Sequence, residues 1–426
     1  MKRFQLLIMG ALLCSGVASF ANPADSIPDR AIILTGNPLH PDHIGNIAEM
    51  YSRMNLAFQD PAAPRFLFLD KKGEVALGIG GYLKAIGEYD FDGAVDNPSF
   101  FTNLIPVPNN PAMRQQFNAT AAHSTVFLKL VTRPTRVGRV IVYIQTNFTG
   151  GGSSGYGLKL KQAYLTVGHV TAGKARTTFA DGPAMAPTVD DQGPSGQVGA
   201  KNMLVRYETS NYGGFSAAIS AELPDASYTV GADSRKIGQR VPDIPAYVQY
   251  AWDGGDSHIR LSGMLRQLCY RNLATEKNHF ATGWGIQLSA VANIYGGLGF
   301  FGHYTWGKGI AAYVNDFADE GLDLIPDVGR PGKLRAPGSM AFTAGLRYEF
   351  NKKFFITGAY SRAQMRDLGG MDASTERYAQ YIDCNAFYNI WGDLMLGVEY
   401  LHGTRKDLSG LSGHANRIEA MLQYSF

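Results

Sequence analysis

The sequence has 426 residues, a formal net charge of +3 and only 18% charged residues. This near-neutral charge excludes a bulk electrostatic attraction to nucleic acid. Glycine is abundant at 50 residues, and the chain contains 22 Tyr and 23 Phe. Many glycines and aromatic residues with modest hydropathy are typical of an all-β membrane barrel, in which only every second strand position is apolar.

Residues 1–21 have the three parts of a secretory signal peptide. Lys2 and Arg3 give the positive start, residues 6–13 the apolar run, and residues 19–21 a small-residue cleavage site. After this segment, no apolar stretch reaches the length of about 18 residues that a membrane helix needs. We therefore predict an exported protein that does not cross the membrane with helices.

Residues 22–73 differ in composition from the rest of the chain and are predicted to form a periplasmic segment with a short helix over 42–58. Apolar residues recur there at spacings of three and four, as along the seam of a coiled coil; they are Ile44, Ile47, Tyr51, Met54 and Phe58. This stripe could pack against the chain's own barrel or form a short trimeric bundle. The turn signal 70–73 predicts a small hairpin between residues 65–69 and the strand that begins after residue 73.

Residues 74–426 are predicted to form a transmembrane antiparallel β-barrel, because segments with a period of two recur along the whole region. Sixteen such segments can be delimited: 75–90, 117–131, 138–149, 157–168, 170–178, 201–209, 213–222, 245–252, 256–270, 280–292, 296–307, 339–350, 353–363, 376–390, 393–403 and 413–426. An even number of strands is the rule for bacterial single-chain barrels.

The joints between these segments differ in length in a regular way. Short turns are predicted on the periplasmic side, together with both ends of the mature chain. Long polar loops are predicted outside the cell, at 92–116, 224–244, 307–338 and 366–375. This asymmetry predicts a barrel inserted in a bacterial outer membrane, in contact with its lipid.

The last segment, 413–426, alternates between apolar and polar residues and ends on the aromatic Phe426. A soluble edge strand could show the same alternation. The length suits a tilted bilayer crossing of about 9–11 residues, and a terminal Phe resembles the end of the last strand of outer-membrane barrels. We predict that this strand pairs with the first strand, near residues 75–90.

Charged residues share the polar faces of several strands. Because an ionised residue on the lipid face costs about 2–4 kcal/mol at the bilayer midplane, these charges are expected to face a wet lumen. A barrel of this strand number is wide enough for an aqueous channel. The candidate lumen residues are Arg139, Arg260, Arg266, Arg347, Glu349, Arg417 and Glu419.

The segment 178–200 between the fifth and sixth strands contains three prolines and four glycines and differs from the other loops. If it folds into the lumen, it narrows the pore beside a group of charged residues. The basic candidates are Lys159, Lys161, Lys174, Arg176 and Arg206, and the acidic candidates are Asp181, Asp190 and Asp191. Such rings of Arg and Lys select for anions. The alternative interpretation is that these are ordinary solvated charges.

Several short sequences in this half of the chain are similar to the DcaP-like porin family. They are Gly80-Gly81-Tyr82-Leu83-Lys84, Leu158 to Tyr164, Ala172-Gly173-Lys174, Thr178-Phe179-Ala180-Asp181, Gly193-Pro194-Ser195-Gly196 and Val205-Arg206-Tyr207. The resemblance covers about residues 75–210. It implies a trimeric sixteen-strand porin with an N-terminal coiled-coil segment that admits small solutes, in some members dicarboxylates.

The resemblance also extends to individual residues. Lys159, Lys161, Arg176 and Arg206 match family positions that are basic or line the pore. Lys174 stands where the family more often has a neutral residue, and this departure could strengthen a preference for anions or reflect a different solute.

Other motifs do not predict a cofactor or an enzyme. The run 78–81 lacks the spacing of a dinucleotide site, and His40 and His43 lack a third metal ligand nearby. Cys269 and Cys384 are far apart in the sequence, and no disulfide is expected. We predict a passive diffusion porin without cofactor or metal, a homotrimer that passes small hydrophilic solutes and prefers anionic ones.

Two alternatives remain open. A fatty-acid-type transport barrel would use the N-terminal segment as a plug, with Phe66 and Phe68 on a hydrophobic ligand path. A barrel phospholipase would need a Ser-His pair on one outer wall face, and no nucleophile motif in the sequence points to one.

Overall fold

The computed structural model describes residues 31–35, 41–52, 56–61, 63–93, 95, 97–154 and 156–426. The predicted signal peptide, 1–21, lies outside the described residues, and so does Met54 of the apolar stripe. Within the described ranges, no helix is both long enough and apolar enough to cross a membrane.

The chain folds into one large sheet of twenty strands and a separate pair of short strands. The strands are β1 (Ile32–Leu34), β2 (Phe66–Leu69), β3 (Val75–Asp92), β4 (Gln116–Thr120), β5 (Thr125–Thr132), β6 (Val140–Asn147), β7 (Lys159–Val167), β8 (Val170–Arg176), β9 (Lys201–Glu208), β10 (Phe215–Glu222), β11 (Ser234–Lys236), β12 (Ile244–Trp252), β13 (Ser257–Asn272), β14 (Lys277–Tyr295), β15 (Leu298–Lys308), β16 (Ile325–Pro326), β17 (Leu334–Arg335), β18 (Gly338–Asn351), β19 (Phe354–Arg366), β20 (Glu376–Trp391), β21 (Leu394–Asp407) and β22 (Ser412–Ser425). The helix α1 is Pro41–Met50. Short 3-10 helices are Thr102–Leu104, Thr149–Ser154, Asp253–Gly255, Ala311–Tyr313 and Asn315–Phe317.

The large sheet closes into a barrel because β22 pairs antiparallel with β3, with Met421 opposite Ile86. The wall has sixteen strand positions. The strands β4 and β5 share one position because both pair with β3, and β11 and β12 share another because both pair with β13. The strands β1 and β2 belong to the N-terminal segment and are not part of the wall. The predicted sixteen-strand antiparallel barrel and the predicted pairing of its last and first strands are therefore confirmed. The predicted single strand 117–131 is interrupted between β4 and β5, where Lys84 N donates a hydrogen bond to Ser124 Oγ at 3.0 Å.

The connections at the two ends of the barrel differ in length, as predicted. At one end, tight turns join neighbouring strands; between β14 and β15, for example, Gly296 and Gly297 have φ values of 58° and 89°. Positive φ at both central residues is what a type I′ hairpin turn requires. At the other end lie the long connections 93–115, 177–200, 223–243, 309–337 and 367–375.

The two faces of the wall have opposite polarity. On β22, Ile418 and Leu422 are exposed at 39% and 46%, whereas Arg417 and Glu419 are each 1% exposed. Successive residues of a strand point to opposite faces, so the apolar row faces outward and the charged row faces the lumen. This orientation avoids the cost of charge against lipid.

The N-terminal segment packs on the first strands of the barrel. β2 pairs antiparallel with residues 76–79 of β3, which confirms the predicted hairpin. Helix α1 ends at Met50 rather than at residue 58, and Ile47 and Met50 are buried against Leu67, Leu69, Ala76 and Val131. Of the apolar stripe, Ile47 and Tyr51 thus pack against the same chain, as the first alternative expects, and the trimeric bundle stays a prediction.

Deletion of Phe426 is expected to reduce insertion into the outer membrane. Gly81 N donates to Phe426 O at 2.8 Å and Phe426 N donates to Gly81 O at 2.9 Å, and this pair of bonds ends the seam between β22 and β3. Each such bond contributes about 0.5–1.5 kcal/mol net. The amount of heat-modifiable protein in isolated outer membranes measures the effect. Normal amounts after the deletion would contradict this role for the terminal residue.

Candidate pore constriction

The segment 177–200 lies inside the barrel and is largely buried. Its backbone bonds to side chains that point inward from the wall. Gly196 N donates to Ser361 Oγ at 2.9 Å, and Gly196 O lies 3.1 Å from His303 Nε2. Asn385 Nδ2 donates to Pro187 O at 2.8 Å. The inward polar row of the wall therefore supplies the partners that this irregular backbone needs.

Asp181 anchors the start of this segment. Its carboxylate lies 2.8 Å from His258 Nε2 and 3.7 Å from Arg260 Nη1, and it accepts a hydrogen bond from Ser289 Oγ. Arg260 also donates to the carbonyl oxygen of Ala180 at 3.1 Å. The structure thus places both predicted residues, Asp181 and Arg260, in a buried contact between the segment and the wall.

Asp190 likewise attaches the inserted segment to neighbouring parts of the chain. Its carboxylate accepts hydrogen bonds from Phe100 N at 3.0 Å and Gly193 N at 2.9 Å, and its own N–H donates to Glu399 Oε2 at 2.8 Å. It is 1% exposed. Its contacts hold three parts of the chain together.

A cavity of about 260 Å³ remains between this segment and the walls of β7, β8 and β9. Seven of its nineteen described lining residues are charged. The basic ones are Lys159, Lys161, Lys174, Arg176 and Lys201, and the acidic ones are Asp60 and Asp191. Four of the five predicted basic residues therefore come together here, with Lys201 in addition. Lys201 begins β9 directly after the segment, so its position in the sequence could have indicated it.

Asp191 reaches the cavity from the inserted segment. Its Oδ2 lies 3.7 Å from Lys161 Nζ and 3.1 Å from His123 Nδ1. Although burial alone raises the pKa of this carboxyl, Lys161 and His123 hold the pKa of Asp191 well below its usual range. Asp191 is therefore ionised at neutral pH and offsets part of the basic charge.

Asp60 is the second carboxylate of the cavity. Its Oδ2 lies 2.6 Å from Arg176 Nη2 and accepts a hydrogen bond from Ala57 N at 3.0 Å, and its Oδ1 lies 3.8 Å from Lys201 Nζ. Burial alone raises the pKa of this carboxyl, but the two cations beside Asp60 keep its pKa below the ordinary value. Asp60 was not among the site residues predicted from the sequence.

Residues 56–61 carry Asp60 across the lumen. Beside the wall strands β19 and β20, the Phe58 ring packs edge-on against Phe355 and Phe387, with centroid distances of 5.8 and 4.9 Å. The next residue contacts the inserted segment, where Gln59 Nε2 donates to Thr188 Oγ1 at 2.7 Å. The N-terminal segment is thus partly inside the barrel, whereas the sequence placed all of 22–73 below it.

Four other predicted residues lie toward the end with short turns. Arg206 borders a second cavity of about 540 Å³, and its Nε lies 3.6 Å from Glu208 Oε2. Arg139 Nη1 donates to Asn46 Oδ1 of α1 at 2.6 Å. Arg347 pairs with Glu349 at 2.7 Å in a partly exposed contact. None of these four lines the first cavity as the described residues define it.

Arg266 holds long loops to the wall. It lies 2.9 Å from Asp243 and 2.9 Å from Asp323 and donates to Gly309 O at 2.7 Å. All three partners lie in the long connections 223–243 and 309–337, at the end of the barrel opposite the short turns.

Arg417 has a comparable place. It lies 3.0 Å from Glu88, 2.8 Å from Asp90 and 3.5 Å from Glu419, and it donates to Val95 O at 3.1 Å. Alternation correctly gives Arg417 and Glu419 an inward direction, but the loop partner of Arg417 could not be deduced from it. In the part of the chain that the structure describes, no group of three His, Cys, Asp or Glu is placed to hold a metal ion.

Solved structures with the same fold include an outer-membrane channel and a porin. The outer-membrane channel DcaP of Acinetobacter baumannii matches with a TM-score of 0.71 and 21% identity over 84% of this chain and 99% of that one. An anion-selective porin from Comamonas acidovorans matches at 0.53 and 13%, over 83% and 100%. OmpT of Vibrio cholerae matches at 0.53 and 11%, over 83% and 98%. Comparison with curated protein sequences gives no match.

The family comparison agrees with the fold. Residues 73–416 match the profile of the porin subfamily, which is most of the chain and nearly the whole barrel. The chain belongs to the porin subfamily and is an outer-membrane diffusion channel.

Replacement of Asp181 by Asn is expected to loosen the inserted segment and raise single-channel conductance. The change removes the carboxylate that His258, Arg260 and Ser289 contact, and breaking a buried ion pair costs about 3–5 kcal/mol. Conductance in planar bilayers and the size limit for sugars in liposome swelling measure the effect. Asp256→Asn, in an exposed short turn, is the control. Equal conductance of both variants and the wild type would show that Asp181 does not hold the constriction.

Proposed function

We propose that this porin passes small hydrophilic solutes with a preference for anions, and for dicarboxylates among them. The observation that carries the proposal is the lining of the first cavity, where five basic side chains face two acidic ones. Both acidic side chains are already paired with cations. Neither Lys159 nor Lys174 forms an ion pair within the described ranges. The excess charge is therefore positive.

A confined position strengthens the effect of these charges. Fixed charges in a narrow lumen are screened by less water and salt than charges on an open surface. Anions are concentrated in such a cavity and cations are repelled. Because the cations are distributed over three neighbouring strands, a solute with two carboxylates can contact two of them at once.

The orientation of the barrel follows the rule for bacterial outer-membrane barrels, whose short turns are periplasmic. On that rule, α1 and the C-terminal Phe426 are on the periplasmic side, and the long connections are outside the cell. The apolar outer rows contact outer-membrane lipid. The fold and family support a channel over an enzyme.

Two other functions make different demands. A fatty-acid-type transporter with an N-terminal plug would take up hydrophobic ligands, yet Phe68 is exposed on β2 and the cavity beside residues 56–61 is polar. A barrel phospholipase would release fatty acid from phospholipid vesicles with purified protein. Uptake of long-chain fatty acid, or hydrolysis of phospholipid, by the purified protein would contradict the proposed function.

Charge reversal in the first cavity is expected to change ion selectivity. Lys159→Glu combined with Lys174→Glu should move the reversal potential in a KCl gradient toward cation preference. The shift should shrink as salt rises, because the screening length falls from about 10 Å at 0.1 M to about 3 Å at 1 M. Lys352→Glu with Lys353→Glu, in an exposed short turn, is the matched control. A cation-selective wild-type channel at low salt, or no difference between the two double variants, would contradict the proposal.

We also propose that the protein is a homotrimer, since one of the structures with this fold is a trimer form of OmpT. Light scattering of the purified protein in mild detergent should give three times the mass of one chain. Because Ile47 packs on its own chain, Ile47→Asp should leave that mass unchanged. A monomeric wild type would contradict the trimer, and a trimer lost only in Ile47→Asp would indicate assembly through the helices.

A further inference from the structure

The cavity contains a carboxylate that belongs neither to the wall nor to the inserted segment. Asp60 lies on residues 56–61, which form no strand of the barrel sheet. Its two oxygens face Arg176 on β8 and Lys201 at the start of β9. In this structure, therefore, the chain's own N-terminal segment supplies an anion to the basic wall of the pore.

We propose that Arg176 and Lys201 form a carboxylate-binding site in the pore, and that Asp60 is its built-in ligand, which a carboxylate solute displaces. This site rests on the proposed anion preference and gives it a specific location. It makes Asp60 a determinant of selectivity that competes with the transported solute.

Burial and charge favour ligand exchange at this site. The Arg176 and Asp60 side chains are only 9% and 6% exposed. A buried guanidinium without a counter-charge is strongly unfavourable, whereas exchange of one carboxylate for another keeps the ion pair. The site is consequently suited to exchange between carboxylates and unsuited to being empty.

Side-chain contacts, and no strand ladder, hold Asp60 in place. The neighbouring Gln59 donates to Ala186 O at 3.1 Å and to Thr188 Oγ1, and Phe58 packs edge-on against two wall rings. The backbone oxygen of Gln59 also accepts a hydrogen bond from Tyr82 Oη of the wall at 3.0 Å. Asp191, in contrast, lies on a segment whose backbone is bonded to the wall at several points. Asp60 is therefore the carboxylate of the cavity that can leave with less disturbance of the backbone.

The other cations of the cavity favour a solute with two carboxylates. Lys159, Lys161 and Lys174 line the same space as Asp60. The tethered side chain has one carboxylate, but a dicarboxylate solute can contact Arg176 with one group and a lysine with the other. Such a solute therefore gains contacts that Asp60 cannot make.

Asp60→Asn in the full-length porin is the direct test, measured in planar bilayers at 0.1 M KCl. Loss of the fixed negative charge should raise the anion-to-cation permeability ratio by roughly two- to fivefold. Succinate is the dicarboxylate probe, and its half-blocking concentration for the chloride current should fall by about tenfold, because the internal ligand no longer reduces the fraction of open sites.

Two controls separate charge from general disturbance. Asp60→Glu keeps the carboxylate and should retain wild-type selectivity. Glu74→Gln removes the carboxylate of an exposed pair with Arg133, 3.4 Å apart, and should have no effect on either quantity. If Asp60→Asn fails to fold, Phe58→Ala loosens the same segment without a change of charge and should also lower the half-blocking concentration of succinate.

The outcomes separate the site from the proposed function. A wild-type channel that prefers cations would contradict both the anion preference and the site that rests on it. A wild type that prefers anions and is blocked by succinate, with Asp60→Asn indistinguishable from it, would overturn the site alone. Equal effects of Asp60→Asn and Glu74→Gln would also overturn it, since the result would then reflect net charge and not this site.

Discussion

The inward placement of the buried charged wall residues follows from the cost of charge against hydrocarbon. With lipid on the outside, the strands of this barrel must turn their arginines and carboxylates inward. An inward arginine such as Arg266 or Arg417 then needs partners, because a buried charge without a partner is costly. The partners include side chains and carbonyl oxygens of loops that lie in the lumen. The requirement imposed by the membrane thus determines the inside of the pore as well as its surface.

The inserted segment illustrates this dependence. Its proline- and glycine-rich sequence has few backbone partners of its own, and buried backbone groups must be hydrogen-bonded. Ser361, Asn385 and Glu399 on the wall provide those bonds. The result is a lumen in which one wall is covered by backbone and the wall of β7 to β9 keeps its basic side chains facing the remaining space.

The barrel could be predicted from the sequence because alternation with a period of two is a local property. Alternation indicated the strand number, the closing pair of strands and the inward direction of residues such as Arg417 and Glu419. It could not indicate the break between β4 and β5. That break arises because β4 pairs with residues 86–90 of β3 and β5 with residues 75–82, and alternation within one strand does not show which residues of a neighbouring strand it pairs with. It also could not pair Arg266 with Asp323, since their contact joins a strand to a loop distant in sequence.

In the candidate site, too, some residues could be predicted from the sequence and others could not. Lys159, Lys161, Lys174 and Arg176 could be grouped in advance because they lie on adjacent strands with known facing. Arg206 was grouped with them but points to the second cavity, toward the end with short turns. Asp60 was missed because nothing in the composition of residues 56–61 indicates that they enter the barrel. Their place depends on contacts with Phe355, Phe387 and Thr188, which are remote in the sequence.

The course of residues 56–61 has a consequence for assembly. The barrel closes when its last strand pairs with its first, and these residues precede that first strand in the chain. Closure with the segment inside produces a lumen that is partly lined by Ala57, Gln59 and Asp60. Closure with the segment left outside would produce a wider tube from the same polypeptide. The width of the pore in the closed barrel therefore depends on residues that lie outside its wall as well as on the number of its strands.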